Sequence, residues 1–411
     1  MNLDNLRTNY SKLITYLEAE HYSSSYIVKF KSEINNILRS ENSMSWTCYK
    51  DIYHEYKLKS DSYHYLRHKR SIIGAIEQFD LNGKFPDGQS RNMLVPRDSY
   101  HSLNDEYKSF IDLYCEIENL TEKKSTTIHH ESQNASAFLL SIQNQGIKKL
   151  NDVTEEAVLA FFISASGELL RGCSYRKNIT AVFKACMNHH SQVCSEILAY
   201  LPMLREHRKT IQYLTTEEFN QIRNTLNNKD SQLSLRDKAI GLLILHTGLR
   251  GCDVASMTLS SIDWEHDLIK IVQAKTHVSL ELPLLAVVGN AIYDYLVSER
   301  PKLDNLYIFL SQNRPFNRLK NESIGTIASR IMNISNVRTH KNDRRGFHIF
   351  RHFLATSLLE NDVPQPVISK TLGHISPNSL SPYLSADFVH LKDCSLSIEK
   401  FPVIREVFLN E

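Results

Sequence analysis

Two polar side chains in the segment His348-Ile-Phe-Arg351 are spaced to act together. Residues three apart lie on one face of a helix, so this imidazole and this guanidinium would point toward the same place. Phe350, Leu354 and Leu358 form a separate apolar stripe, which predicts that the polar pair lies off the core side of the helix. An imidazole beside a permanent cation is suited to proton transfer at an anionic group.

A basic loop directly precedes this pair. Four basic residues surround one acidic residue and give the loop a net charge of +3: Arg338, Lys341, Arg344 and Arg345 around Asp343. The chain as a whole has 48 basic and 46 acidic residues, for a net charge of only +2. This local cluster, and not the composition, therefore indicates an anionic partner.

Two further residues stand near a predicted helix end. Leu372-Gly373-His374 ends a short helix that begins after Pro364, and a glycine is a typical helix stop. His374 is therefore expected at a turn, pointing outward. Tyr383 follows nine residues later.

Arg250 comes directly after another predicted helix break, in a Thr-Gly-Leu-Arg segment. Asp253 lies three residues further on, and we expect its carboxylate to hold the Arg250 guanidinium in a bidentate pair. Lys275 falls near the turn of a β-hairpin predicted from Leu268 to Leu284, where apolar residues alternate strictly from Val278 onward.

Each of these residues also has a more ordinary interpretation. Arg250 fits a structural ion pair, His348 a core histidine, and Lys275 a solvated turn. Tyr383 is one of 19 tyrosines, and most tyrosines serve in packing. The case for chemistry therefore depends on the whole set and on its order along the chain.

The order of these residues resembles that of the tyrosine recombinases, also called phage-type integrases. The matching set is Arg250, Lys275, His348-x-x-Arg351, Leu-Gly-His374 and Tyr383. Similar context is found in Asp253 after Arg250, in the pair Arg351-His352, and in the spacing of 23 positions from Arg351 to His374. The resemblance covers roughly residues 213 to 400, and several independent motifs in the family's order make it specific.

The resemblance implies that Tyr383 attacks a DNA phosphodiester, leaving a 3′-phosphotyrosyl link and a free 5′ hydroxyl. Arg250 and Arg351 would bind the non-bridging oxygens, on which negative charge builds during attack. His348 and His374 would donate further hydrogen bonds to these oxygens. His348 is also a candidate acceptor of the tyrosine proton.

Lys275, on a mobile hairpin, would protonate the departing 5′ oxygen. The two arginines would supply the positive charge that Mg²⁺ supplies in other enzymes, so the resemblance implies no metal and no other cofactor. Since the phosphotyrosyl link conserves bond energy, rejoining would need no ATP.

Composition narrows the setting of this chemistry. The seven cysteines, an odd number without Cys-x-x-Cys spacing, predict neither a disulfide framework nor a zinc site. No stretch approaches the roughly 18 apolar residues that span a membrane, and the first residues lack the pattern of a secretory signal. We therefore expect no membrane partner and a cytoplasmic protein, associated with the nucleoid.

The elements that must position the chemical residues are predicted to be mostly helical. We predict a mainly α fold with a small β-sheet, of the α+β class. The predicted domains are a helical module (residues 1-95), a helical core-binding domain of the SAM-like type (101-205), and a catalytic domain with a C-terminal tail (213-411). Turn residues Lys84 to Gly88 close the first, and a basic linker from Arg205 to Lys209 precedes the third.

The two helical modules share a pattern. Apolar residues follow Ile27 at positions +7, +10 and +11, and the same offsets follow Ile128. A basic pair, Lys69-Arg70 or Arg176-Lys177, then precedes an isoleucine in each module. Either the modules are related by duplication, or the match is a coincidence between amphipathic helices.

The resemblance also implies a role for these modules. The second one would grip the duplex together with the catalytic domain, with Arg176 and Lys177 as candidate DNA contacts. Arg344 and Arg345 of the basic loop are further candidates. Many integrases begin with a small β-rich arm-binding domain, but the first module here reads as helical, so we expect a second helical DNA-binding module.

The segments Ala386 to Phe388 and Leu396 to Pro402 follow Tyr383. In the family that the chain resembles, a C-terminal element often docks on the neighbouring subunit, which would couple activity to the assembly of a homotetramer. The alternative is an ordinary packed terminal segment.

The leading hypothesis is a site-specific recombinase or integrase of a mobile element, acting on double-stranded DNA with a specific recombination site. One alternative is a type IB topoisomerase, which uses related chemistry to relax supercoils without pairing sites. A third is a DNA-binding protein that has lost catalysis. The sequence of the recombination site cannot be derived from the chain.

Overall fold

The protein is described by a computed structural model over residues 3–40, 46–87, 94, 98–205, 211–340 and 343–384. Contacts divide the chain into two units, Met1–Thr15 with Ser25–Arg208, and Tyr16–Ser24 with Lys209–Glu411. Most described residues are helical, and three strands form one small sheet. The predicted fold class is therefore confirmed. Within the described ranges, no helix is long and apolar enough to cross a membrane.

Helices occupy most of the N-terminal half. They are α1 (Asp4–Ala19), α2 (Ser24–Ser40), α3 (Tyr49–Lys59), α4 (Tyr63–Asn82), α5 (Asp105–Asn119), α6 (Ser125–Asn144), α7 (Glu155–Phe162), α8 (Cys173–Ala185) and α9 (Ser191–Tyr200).

Both predicted apolar stripes are buried faces of these helices. On α2 and α6 the buried residues of the stripes are Ile27, Ile34 and Ile37, and Ile128, Ala135, Phe138 and Leu139. The helix starts repeat at the same spacing. Helix α5 begins at Asp105, 101 positions after the start of α1 at Asp4, and α6 begins at Ser125, 101 positions after the start of α2 at Ser24. This shared spacing supports the duplication hypothesis, which remains a hypothesis.

A buried carboxylate ties the N-terminal helices together. The Leu6 N–H donates to Asp80 Oδ1 and the Tyr49 hydroxyl donates to Asp80 Oδ2, both at 2.8 Å. The Asn5 amide donates to the backbone carbonyls of Phe79 and Asp80 at 3.0 and 2.8 Å. Asp80 on α4 therefore satisfies polar groups of α1 and α3 inside the core.

Replacing this carboxylate tests its structural role. Asp80→Ala leaves the Leu6 N–H and the Tyr49 hydroxyl buried without an acceptor, which should lower the free energy of unfolding by about 1–3 kcal/mol for each buried group left unpaired. Urea denaturation of the full-length chain measures the loss. Asp61→Ala, at an exposed position before α4, is the control, and equal stability of the two variants would contradict the prediction.

The C-terminal half holds the remaining elements. The helices are α10 (Thr216–Asn227), α11 (Leu235–Thr247), α12 (Gly251–Ser256), α13 (Ala286–Ser298), α14 (Asn321–Ile334), α15 (Phe347–Glu360), α16 (Gln365–Leu372) and α17 (Ser381–Leu384). The strands are β1 (Ile262–Asp263), β2 (Leu268–Val272) and β3 (Ser279–Pro283).

Helix α11 is the centre of this half. The Ser234 hydroxyl accepts from the Asp237 N–H at 3.2 Å and starts the helix. Nearly all of its residues are buried, which is typical of a helix surrounded by other elements. It packs against α13, α14 and α15. Gly248, in the left-handed conformation with φ of 62°, ends it two positions before Arg250.

The sheet confirms the predicted hairpin. Its order is β1-β2-β3 with antiparallel pairing, and Leu268 lies opposite Pro283 at the open end. Leu280 and Leu282 are buried while their neighbours on β3 are exposed, so the alternation follows the pleat. Lys275 lies in the turn between β2 and β3.

Candidate active site

Hydrogen bonds or electrostatic interactions link the six side chains that the sequence predicts to do chemistry. Arg250 directly precedes α12, Lys275 lies in the β2–β3 turn, His348 and Arg351 lie on α15, His374 follows α16, and Tyr383 belongs to α17. Residues spread over more than 130 positions of the chain therefore meet at one site.

The Arg351 guanidinium is the most deeply placed cation of the site, with 4% of the residue exposed. Nη1 donates to the carbonyl of Gly248 at 2.9 Å, and Nη2 donates to the carbonyl of Leu372 at 2.6 Å. These carbonyls lie at the C-terminal ends of α11 and α16, where unpaired carbonyls carry partial negative charge. Burial and the nearby Arg250 lower the pKa of Arg351 to about 10, so it stays charged at neutral pH.

This burial corrects one expectation about α15. His348 is exposed, as predicted for a residue off the core side, but its partner Arg351 is not. The physical reason is that α15 packs against α11, α14, α16 and α17. These neighbouring helices therefore cover part of the polar face of α15 as well as its apolar stripe.

Gln273 connects the two arginines, and the sequence analysis missed it. Its side chain is fully buried, and Oε1 accepts from Arg250 Nη1 at 2.6 Å. Its Nε2 donates at 3.1 Å to the carbonyl of Leu372, the same carbonyl that binds Arg351. A lone glutamine after a strand carries no sequence signal for this position.

The expected bidentate pair between Asp253 and Arg250 is wrong. Asp253 is buried in the first turn of α12, and its Oδ1 accepts from the backbone N–H of Ala274 at 2.8 Å. Its Oδ2 has no hydrogen-bond partner among the described residues. The carboxylate faces the hairpin, and the Arg250 guanidinium donates to Gln273 instead. Asp253 therefore supports the hairpin that carries Lys275.

Tyr383 points into this cluster and is 5% exposed. Burial raises the pKa of its hydroxyl above the ordinary value, and the charges of Arg351 and Arg250 offset this only in part. The hydroxyl also lies 3.1 Å from Nδ1 of His352, and the His374 ring stacks at 6.3 Å between centroids. His352 was noted only as part of the Arg-His pair; its contact with the tyrosine was not predicted.

The three histidines of the site are held in the neutral form. Burial and neighbouring cations lower the pKa of His352 and of His374 to about 4. The pKa of His348 is also lowered, by partial burial and then by Arg351, Arg250 and Lys275. A site that accumulates positive charge in this way favours an anion.

Comparisons with known proteins identify the family of this region. The sequence model of the Phage integrase family matches residues 212–390, which include all six side chains. The protein y4gC of Sinorhizobium fredii, a candidate integrase/recombinase, is 36% identical over 164 residues, covering 40% of this chain and 83% of that protein. The chain belongs to the tyrosine recombinase family.

More distant members cover more of the chain. The tyrosine recombinase XerC of Oceanobacillus iheyensis is 24% identical over 293 residues, covering 69% of this recombinase and 93% of XerC. A crystal structure of the XerH site-specific recombinase, bound to a palindromic difH substrate after cleavage, has 19% identity and a TM-score of 0.52. It covers 72% of this chain and 91% of that one, and it shows a shared fold.

The candidate DNA contacts of this recombinase differ in accessibility. Lys177 on α8 and Arg344 are exposed, and Arg176 is half-buried. Arg345 is half-buried too and donates to Asn333 Oδ1 and to the His340 carbonyl, both at 3.1 Å. Some hydrogen-bond donors of the basic loop therefore stabilise the protein's own structure.

The charge of Arg338, another residue of the basic loop, is balanced by Glu218. Arg338 Nε donates to Glu218 Oε1 at 2.9 Å, and its Nη2 donates to the Tyr213 carbonyl at 2.6 Å. Lys341 lies outside the described residues, as do the tail segments Ala386 to Phe388 and Leu396 to Pro402 and most of the predicted linker. Within the described ranges, no group of three or more His, Cys, Asp or Glu side chains is arranged for a metal ion.

Gly373 is a sensitive point of the site. It ends α16 with φ of 63°, and a Cβ at this position would overlap the Gln273 amide. Gly373→Ala should lower the free energy of unfolding by about 1–2 kcal/mol from the backbone conformation alone, with an additional loss from displacing Gln273.

Gly325→Ala is the matched control, because Gly325 lies within α14 with ordinary helical φ and open space around its Cα. That change should be neutral or should stabilise by about 0.5–1 kcal/mol. Urea denaturation compares the two variants, and similar values for both would show that the close approach at Gly373 is not strained.

The lowered histidine pKa values predict a pH dependence of stability. With pKa values near 4 in the folded state and 6.5 when unperturbed, His352 and His374 bind protons more readily in the unfolded chain. The free energy of unfolding should therefore fall as the pH decreases from 6.5 toward 4. His374→Asn removes one of these groups, so its stability difference from wild type should shrink over that range. A constant difference would contradict the lowered pKa.

Proposed function

We propose that this protein is a site-specific DNA recombinase that cuts and rejoins duplex DNA through a 3′-phosphotyrosyl link to Tyr383. The observation that carries the proposal is the buried Tyr383 hydroxyl beside the guanidiniums of Arg250 and Arg351. A phenol with an ordinary pKa of about 10 is a poor nucleophile at neutral pH. Two adjacent cations favour its phenolate and also attract the anionic phosphodiester that it would attack.

The arginines are assigned to the non-bridging oxygens of the phosphate. Arg351 is oriented by two backbone carbonyls, and Arg250 by Gln273, so both planes are held before any substrate binds. A guanidinium has more N–H donors than these contacts use. The remaining donors would bind the oxygens on which charge builds as the phosphorus becomes five-coordinate, and His374 would add to them.

Lys275 is assigned to the leaving group. The bond from Tyr383 oxygen to phosphorus forms while the bond from phosphorus to the 5′ oxygen breaks, and that oxygen takes a proton. Lys275 lies in an exposed turn, close enough to His348 to influence its pKa, and its ammonium has the proton to give. A 5′ hydroxyl of a partner strand then attacks the phosphotyrosyl link and restores the phosphodiester.

Double-stranded DNA with a specific site is the proposed partner. Support comes from the family, from XerH, whose structure is described as bound to a difH substrate, and from exposed Lys177 and Arg344. Arg176 and Arg345 are proposed as weaker contacts, because they are half-buried. The proposed domains are a helical module (residues 1-95), a core-binding domain (101-205) and a catalytic domain (213-411).

The assembly and setting follow from this chemistry. Exchange between two duplexes breaks one bond in each of their strands, so one nucleophile per strand implies a homotetramer in the synaptic complex. A protein that acts on chromosomal or mobile-element DNA would work in the cytoplasm, at the nucleoid. We propose a mobile genetic element as the origin of the substrate, in keeping with the integrase relatives.

Capture of covalent adducts tests the proposed chemistry. The full-length protein is incubated with a library of nicked duplexes that have a randomised core, and DNA that stays attached to protein after denaturation is sequenced. Wild type should form adducts on a restricted set of sequences. Tyr383→Phe should form none and still bind those sequences, because only the nucleophilic oxygen is lost.

Tyr293→Phe, on an exposed face of α13, is the matched control and should behave as wild type. An adduct with Tyr383→Phe would refute the assignment of the nucleophile. Absence of any adduct with wild type would refute the proposed function.

A further inference from the structure

His352 contacts the proposed nucleophile more directly than any residue predicted to serve as its base. Nδ1 of His352 and the Tyr383 hydroxyl are 3.1 Å apart, within hydrogen-bond distance. The two ring centroids are 5.4 Å apart, with the planes tilted by 51°. His352 is the residue after Arg351 on α15, so the helix that holds the phosphate-binding arginine also holds this imidazole.

The direction of this hydrogen bond follows from the donors present. The Tyr383 hydroxyl has a single hydrogen, and the charge of the nearby Arg351 guanidinium, whose N–H groups can only donate, favours the lone pairs of the tyrosine oxygen on that side. The hydroxyl therefore directs its hydrogen to Nδ1 of His352, 3.1 Å away. That assignment requires the neutral His352 tautomer with its hydrogen on Nε2.

The other two histidines are placed for different work. His374 Nε2 lies 3.1 Å from Arg351 Nη2, so this nitrogen is committed to the arginine. His348 is exposed one turn earlier on α15; its ring stacks on that of His352, and it interacts electrostatically with Arg351, Arg250 and Lys275. Both positions suit contacts to a phosphate oxygen better than contact with the tyrosine hydrogen.

We propose that Nδ1 of His352, and not His348, accepts the Tyr383 proton during strand cleavage; this proposal rests on the recombinase function proposed above. The tyrosine O–H bond breaks and its proton passes to Nδ1, while the oxygen forms its bond to phosphorus. The bond from phosphorus to the 5′ oxygen breaks, and a different group protonates that oxygen. In the rejoining step the proton returns from His352 to the tyrosine oxygen.

Electrostatics make this base responsive to the substrate. Burial, followed by the neighbouring His348, Arg351 and Arg344, lowers the pKa of His352 to about 4, and Tyr383 is the other titratable group that faces its ring. His352 is therefore an unprotonated acceptor before DNA binds. A phosphodiester held by the two arginines would add negative charge beside these cations, which strengthens the base when the substrate arrives.

Two substitutions at one position separate proton transfer from positioning. In His352→Asn, the side-chain oxygen can lie near the place of Nδ1 and accept the same hydrogen bond, but it does not take a proton at neutral pH. His352→Ala removes both functions. The substrate is the duplex sequence captured with wild type, and the measurement is the single-turnover rate of adduct formation.

We expect both variants to form the adduct about 10²–10⁴ times more slowly than wild type, with unchanged DNA affinity and unchanged urea midpoint. Added imidazole should partly restore the rate of His352→Ala and leave His352→Asn unchanged. His266→Asn, at an exposed imidazole beside Asp263, is the matched control and should cleave as wild type does.

Two results would overturn the proposal. Cleavage by His352→Asn at the wild-type rate would mean that the residue only positions the tyrosine. Cleavage by His352→Ala at that rate would mean that it has no part in the reaction. In both cases wild type and His266→Asn still form the adduct, so failure of this inference is distinguishable from failure of the recombinase function.

Discussion

The buried guanidinium of Arg351 is the interaction on which the arrangement of the site depends. A cation this deep is costly to desolvate unless its N–H groups are satisfied. Here the carbonyls of Gly248 and Leu372 satisfy two of them, at the ends of two separate helices. The arginine thereby fixes where α11 and α16 end relative to α15. The residues that follow those ends, Arg250 and His374, take their positions from the same contacts.

The Leu372 carbonyl extends this arrangement to the sheet. It accepts from Arg351 and from Gln273, and Gln273 in turn accepts from Arg250. One carbonyl therefore joins both arginines and the start of the β2–β3 turn. The Asp253 contact to Ala274 adds a second tie to the same turn. The exposed Lys275 is thus carried on a turn that is anchored where it begins, which suits its proposed role of protonating the leaving oxygen.

Charge is the second constraint on the site. The nearby charge of Arg250 adds to burial in lowering the pKa of Arg351, and burial and neighbouring cations keep His352 and His374 neutral. The DNA-free protein therefore holds unbalanced positive charge around a protonated tyrosine. A bound phosphodiester would relieve that imbalance, so binding the substrate and activating the nucleophile are expected to be coupled through the same groups.

Local sequence patterns determined where many of the helices and strands begin, end and face the core. The glycine stops at Gly248 and Gly373 and the alternation in β3 are each set by residues adjacent in sequence, and the structure confirms them. The buried stripes of α2 and α6 follow from helical periodicity in the same way. The set of candidate catalytic residues could also be identified from the sequence, because the order and spacing of motifs can be compared without a structure.

Tertiary structure alone decided which of these groups touch. Gln273 reaches a carbonyl 99 residues away, His352 reaches a tyrosine 31 residues away, and Asp253 turns to the hairpin and not to Arg250. Such contacts depend on how several elements pack at once, and no periodicity along the chain encodes them. The sequence alone therefore identifies the residues that are candidates for the chemistry. The burial of Arg351 and the partner of each polar atom arise only when α11, α15, α16 and the hairpin meet.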